Sequence, residues 1–329
     1  MLGATLVCAI AGCGGDGGES QDPVSRVPEA GGLQERVRAA STPDASSFPS
    51  ATGKTLDELA EEIRGGSIEV GLATSVFTVG RSRLAFGVID DEGQFVYGPT
   101  VVYVAPTPGD PAKGPFAAPA DVLVTEGRYR SRQAAAESDP FAAVYQSQVR
   151  FPRPGDYALL VVTRTGTTYV AAPTQVRVKA KRDDQVPDVG ERAPKVATDT
   201  LESVQGDEDL LDTRVPPSDM HAASFDEVVG KKPVALLFAT PQLCQSRVCG
   251  PVTDIALQLK SRYGDRVEFI HQEVYEENDP QQGVRRPLQE FRLPTEPWLF
   301  VVGEDGRITA RLEGSFGLDA FEDALRTAL

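Results

Sequence analysis

Val234–Thr240 (VALLFAT) is an unbroken apolar run with a proline on either side, Pro233 and Pro241. An apolar run without alternation suits a strand covered on both faces, which calls for a sheet with helices packed against it. The residues after it fit that demand. Over Pro251–Arg262, Val252, Ile255, Ala256 and Leu259 stand at i, i+3, i+4 and i+7, the apolar stripe of a helix. Val267–Tyr275 and Trp298–Val302 (WLFVV) read as further strands, with Pro287–Phe291 a short helix between them. Gly303–Gly306 turns the chain into a strand over Arg307–Leu312, and Leu318–Leu329 closes as a helix. Residues 186–329 are therefore expected to form an α/β domain.

The chain before this point has a different texture. Between Gly66 and Lys181, short segments rich in Val, Tyr, Phe and Thr are punctuated by Gly, Pro and Asp. Strands are expected at Ile68–Thr74, Arg83–Asp90, Thr100–Ala105, Val122–Thr125, Phe141–Phe151, Asp156–Thr163 and Thr168–Val178, with a long loop over Pro106–Pro119. About seven short strands in roughly 110 residues suggest a β-sandwich over 66–181. FPRPGDYALLVV (151–162) resembles the last hairpin of immunoglobulin-like domains, where a Pro-Gly turn leads into a strand carrying an aromatic. The charged stretch KAKRDD (179–184) is read as the linker between the two units. Upstream, Thr55 and Glu58 can form a capping box for a short helix within 55–65. Residues 13–54, rich in Gly, Ser, Pro and Ala, read as a disordered tether.

The balance of 33 basic and 48 acidic residues gives a net charge of −15, which excludes a nucleic-acid backbone as partner. The only two histidines, His221 and His271, weigh against a His-rich metal site or a Ser-His-Asp triad. No apolar run approaches the ~18 residues of a membrane span.

The four cysteines divide into two pairs. The chain opens MLGATLVCAIAGCGG, an apolar stretch ending in small residues, as secretory segments do. Ile10-Ala11-Gly12-Cys13 resembles the lipobox of bacterial lipoproteins, although no Lys or Arg precedes the apolar stretch. The resemblance implies removal of residues 1–12, lipid on Cys13 and an extracytoplasmic chain anchored to the bacterial cell membrane. Cys8 would leave with the signal peptide, and Cys244 and Cys249 would remain as a C-x4-C pair (CQSRVC) in an oxidising compartment.

The order strand, cysteine loop, helix, strand, proline, strand, hairpin strand, helix resembles the thioredoxin-like superfamily over residues 186–329. VGERAP (189–194) is similar to its extracytoplasmic lead-in, and PWLFVVGEDGRI (297–308) to its cis-proline strand and hairpin. Pro297 matches the cis-proline by spacing, with Pro294 as rival. Cys249-Gly250-Pro251 stands at a helix start, where helix-end N–H groups and the nearby Arg247 should lower a thiol pKa. Pro251 occupies an allowed early helical position. The family's second helix cysteine is absent, since Val252 follows Pro251, and Leu243 stands where a tryptophan is usual.

The resemblance therefore implies a thiol–disulfide oxidoreductase in which Cys249 attacks and Cys244 resolves, acting on envelope proteins that carry thiols or disulfides. Glu296, before the cis-proline, would set a carboxylate against the thiolate. The alternative is a non-catalytic binding lipoprotein whose C-x4-C pair is a structural disulfide. A peroxiredoxin-like reading has Ser246 three positions before Cys249 but Pro241 one position out of register. Cu(I) handling would need His271 as a third ligand, and His271 lies mid-strand in FIHQEV. No cofactor and no metal are expected.

Overall fold

The computed structural model describes residues 22–63, 66, 68–132, 134, 141–244 and 248–329. The readings made on Cys8 and Cys13 lie outside them.

Nine strands build the first half: β1 (Ile68–Leu72), β2 (Phe77–Thr78), β3 (Gly80–Asp90), β4 (Thr100–Ala105), β5 (Lys113–Ala117), β6 (Ala120–Val122), β7 (Ala143–Phe151), β8 (Gly155–Thr165) and β9 (Thr168–Lys179). They form two sheets, β1-β3-β7-β6 and β2-β9-β8-β4-β5. Alternate residues point inward from both: Leu84, Phe86 and Val88 of β3 and Tyr145, Val149 and Phe151 of β7 meet Val102 and Val104 of β4 and Leu159 and Val161 of β8. This period of two is the signature of sheets packed face to face. The outer face of the second sheet is also covered. Val101, Tyr103, Leu160 and Val162 lie beneath Phe48, Leu56, Leu59 and Ile63.

Two expectations need correction here. Residues 22–54 are not a tether as far as they are described: Leu33–Ser41 is a helix, and Val24, Val27, Val37 and Ala40 are buried against the sandwich. The composition is poor in apolar groups, but those few fall on the side that packs. The loop assigned to Pro106–Pro119 contains β5, which pairs with β4 through Val101↔Ala117 and Val102↔Phe116. Pro115 disguises it, and its place on the sheet edge is where a strand tolerates a missing N–H donor.

The second half is a four-stranded sheet of β10 (Val234–Phe238), β11 (Glu268–Gln272), β12 (Trp298–Val302) and β13 (Ile308–Glu313), in the order β11-β10-β12-β13. β10 runs parallel to β11 and antiparallel to β12, and β12 and β13 form the hairpin. The helix Cys249–Tyr263 connects β10 to β11, and the helix Leu318–Arg326 ends the chain. The element order is the one read from the sequence. β10 is buried at every position, which explains its unbroken apolar run.

The two halves share one buried boundary. Ala85, Leu123 and Val144 of the sandwich belong to the same core as Ile255, Leu259, Phe316 and Phe321. Polar groups fasten this boundary. Asp121 of β6 accepts hydrogen bonds from the N–H groups of Gly317, Asp319 and Ala320, at 2.9, 3.0 and 3.1 Å, and so caps the C-terminal helix from the other unit. Glu313, ending β13, accepts from the Ser75 and Val76 N–H groups and from Ser75 Oγ. Arg83 donates to the Glu313 and Ser315 carbonyls.

Gly314 marks the tightest approach. Its φ is +71°, and a Cβ there would stand 1.6 Å from the Ala73 carbonyl oxygen. Gly314→Ala should lower the melting temperature strongly, at a cost above ~2 kcal/mol. Gly109→Ala, where nothing lies within 4 Å, should leave it nearly unchanged. Equal melting of the two variants by calorimetry would contradict this account of the boundary.

Candidate active site

β10 ends at Phe238, and the chain turns at once into the cysteine loop. The Cys244 N–H donates to the Thr240 carbonyl at 3.2 Å, which closes the first part of that loop. Cys249 then opens the helix Cys249–Tyr263, with Pro251 in its first turn. Cys244 and Cys249 are both in the thiol form, and the two side chains are hydrogen-bonded to each other. Arg247 lies outside the described residues.

Burial separates the two thiols. Both are buried, Cys249 at 0% exposure and Cys244 at 8%. The Cys249 thiol is pushed well above its ordinary pKa, chiefly by burial, then by Cys244 beside it and by the charge of Glu296, while a hydrogen bond from the Thr240 N–H lowers it without reversing the effect. The sequence expectation was the opposite, a thiol lowered by the helix end. The helix end is present, but burial takes the thiolate out of water, and that disfavours the charged form.

The Glu296–Pro297 peptide is cis, and no cis bond precedes Pro294. This loop carries Glu296, half-buried, whose carboxyl is pushed up by burial and next by Cys244. Tyr275 stands near the same group. Burial raises its phenol first, and Glu296, Cys244 and Cys249 add to the rise. Nothing in its sequence context pointed to Tyr275, because its nearness to the thiols comes from how the chain leaves β11.

A cleft of about 560 Å³ borders this loop. Val248, Thr295 and Glu296 line one side of it, and Leu72, Phe95 and Phe141 line the other. The second group belongs to the sandwich half. The site's outer wall is thus supplied by residues more than a hundred positions away in sequence, beyond the reach of any local motif.

Behind the loop lies a set of buried polar groups. The Gln242 N–H donates to Thr213 Oγ1 at 3.2 Å, and Thr213 Oγ1 donates to Glu273 Oε1 at 2.6 Å. Thr240 Oγ1 and Glu273 Oε2 are buried and meet no hydrogen-bond partner among the described residues. His271 is wholly buried on β11. Its Nε2 lies 3.0 Å from the Ala239 carbonyl and its Nδ1 lies 3.3 Å from Asp212 Oδ2. Both ring nitrogens are therefore engaged away from the sulfurs, which removes His271 as a third ligand for the thiol pair.

No protein-family model matches this chain, and no curated protein matches it. Solved structures resemble part of it. One described as a thiol:disulfide interchange protein DsbE of Chlorobium tepidum covers 43% of this chain and 98% of its own, at 14% identity and a TM-score of 0.31. A thioredoxin-family thiol:disulfide interchange protein of Chlorobium tepidum TLS covers 44% and 98%, at 14% identity and a TM-score of 0.29. The thioredoxin domain of a thiol-disulfide oxidoreductase from Bacteroides vulgatus covers 42% and 98%, at 15% identity and a TM-score of 0.29. At these values the likenesses assign no activity to this chain.

Proposed function

We propose that the protein is an extracytoplasmic thiol–disulfide oxidoreductase that works on envelope proteins through Cys244 and Cys249. The observation that carries this reading is the pair itself: two thiols in mutual contact at a helix N-terminus, next to the loop that holds Glu296 and cis-Pro297. In the reducing direction, the Cys244 thiolate attacks a substrate disulfide, forms a mixed disulfide and releases one substrate thiolate. Cys249 then loses its proton and attacks the Cys244 sulfur. The second substrate thiolate departs, and the Cys244–Cys249 disulfide keeps the oxidised state. Two electrons pass to the substrate, and the reverse sequence returns them.

This ordering exchanges the roles expected from sequence. A nucleophile must be reachable, and Cys244 is the less buried of the two thiols. On reduced protein, mild alkylation near neutral pH should modify Cys244 first. Cys249 should react appreciably only as the pH rises past the ordinary thiol range, because its thiolate is suppressed below it. Cys249→Ser should accumulate mixed disulfides, since its resolving thiol is gone. Mass spectrometry that finds Cys249 labelled first, or mixed disulfides only with Cys244→Ser, would restore the original order.

Glu296 adds negative charge that opposes thiolate formation at Cys249. Glu296→Gln should lower the pH at which thiolate absorbance appears by about half a unit, equivalent to ~0.7 kcal/mol of removed repulsion. An unchanged or higher titration midpoint would place Glu296 outside the chemistry.

Burial of both cysteines favours a second reading, a structural disulfide in a binding lipoprotein. Thiol trapping across a series of redox buffers separates the two. A pair that stays oxidised until potentials below about −300 mV supports the structural role. In either reading we take the first half as an immunoglobulin-like module. The strand order of its two sheets supports this, as does Tyr157, whose hydroxyl donates to the Arg153 carbonyl four residues upstream at 3.1 Å. Envelope location rests on Cys13. In a host that processes lipoproteins, the chain should partition with membranes, and Cys13→Ser should lose lipid labelling. Labelling that survives the change refutes the anchor.

A further inference from the structure

Both histidines of the chain converge on one carboxylate. Asp212, His221 and His271 are 3%, 5% and 0% exposed, and one ligand atom from each lies within 4.8 Å of the others. Asp212 Oδ2 is 3.1 Å from His221 Nε2 and 3.3 Å from His271 Nδ1. Bonds of about 2.0–2.2 Å to a tetrahedral ion would set neighbouring donor atoms roughly 3.3–3.5 Å apart, close to these spacings.

The tautomers sharpen the argument. His271 Nε2 faces the Ala239 carbonyl at 3.0 Å, and a carbonyl can only accept, so Nε2 carries the hydrogen. In the neutral ring, Nδ1 then presents a lone pair to a carboxylate oxygen. Two acceptors at that distance require a cation between them, either a proton or a metal ion. A histidine held by its other nitrogen on a backbone carbonyl is the usual support for a metal ligand. The carboxylate is oriented in the same manner. The Arg214 N–H donates to Asp212 Oδ1 at 2.8 Å, and the Ser218 N–H donates to Oδ2 at 2.7 Å.

The surrounding cations are engaged elsewhere, and polar atoms beside the cluster are left without partners among the described residues. Nearby, Arg214 is paired with Asp254, and Arg285 with Asp199. The wholly buried Glu273 lies two residues beyond His271, its Oε1 accepting from Thr213 Oγ1. Glu273 Oε2 and His221 Nδ1 have no hydrogen-bond partner among the described residues.

We propose that Asp212, His221 and His271 form a structural site for a first-row divalent cation of the zinc type, with Ser218 Oγ or water completing the shell. Two nitrogen donors and one oxygen suit that class of ion, and no sulfur takes part. The ion would pin the segment around Asp212–His221 against β11, beneath the strand end that leads into the cysteine loop.

The test uses the full chain with Cys8, Cys13, Cys244 and Cys249 each changed to Ser, so that thiols cannot hold the ion. After chelation, the protein is loaded with Zn²⁺, passed through a desalting column and assayed by elemental analysis. About one equivalent should remain, with a higher melting temperature than the chelated sample. His221→Gln and Asp212→Asn should each lose it. Should those variants fail to fold, Co²⁺ loaded into the folded cysteine-free parent decides the matter. Visible d–d bands without a near-ultraviolet sulfur band support the site. No retained Zn²⁺ and no Co²⁺ bands in the folded parent overturn it, as does equal retention by folded His221→Gln.

Discussion

The helix Cys249–Tyr263 has no solvent face along most of its length, and much of the structure depends on that fact. Its apolar stripe of Val252, Ile255, Ala256 and Leu259 lies on the sheet, as amphipathic spacing requires. On other sides Asp254 and Gln258 are buried as well, against the sandwich half. Gln258 Oε1 accepts from the Glu126 N–H at 2.8 Å, and Asp254 accepts from the Ser131 N–H at 2.9 Å and from Arg214 Nε at 2.8 Å. Such bonds contribute roughly 1 kcal/mol each, more for the charged pair, and leaving one partner buried alone would cost more than that. The helix is therefore held from both sides, and its first residue, Cys249, cannot be reached from solvent.

That clamping accounts for the chemistry of the pair. A helix N-terminus favours an anion only if the anion can also be solvated or matched by positive charge. Around Cys249 neither condition is met among the described residues: Glu296 and the neighbouring thiol both disfavour its thiolate. Cys244, on the loop before the helix, is also buried but keeps a slight exposure of 8%. The pair thus differs in burial, with Cys249 wholly enclosed and its thiolate disfavoured. Such a difference suits a two-step exchange, in which the second thiol should not react until the first has captured a partner.

The sandwich takes part in the site directly. Its Leu72, Phe95 and Phe141 line the cleft, its Asp121 caps the last helix, and its Ser75 and Val76 bind the end of β13. Each link crosses the boundary through hydrogen bonds or close packing. A hinge between the halves would break several buried polar contacts at once. The wall opposite the cis-proline loop consequently keeps a fixed position relative to the thiols.

Periodicity by itself determined much of this protein. VALLFAT could only be a strand covered on both faces, WLFVV likewise, and the spacing of Val252 to Leu259 required a helix between strands. The alternation from Arg83 to Val178 required sheets packed on each other, and Cys-Gly-Pro located the helix start. Those features are local, because a side chain's period along its own element decides which face it can bury. The rest depended on groups distant in sequence. Asp254 and Gln258 carry no mark of burial in the sequence, and only the sandwich covers them, while Lys113–Ala117 read as loop until β4 gave it a partner. Cys249 read as the more reactive thiol because burial is invisible to a motif. His221 and His271, fifty positions apart, looked like isolated residues. Only the folded chain brings both to Asp212, because donors so distant in sequence meet when β11 and the segment before β10 pack together.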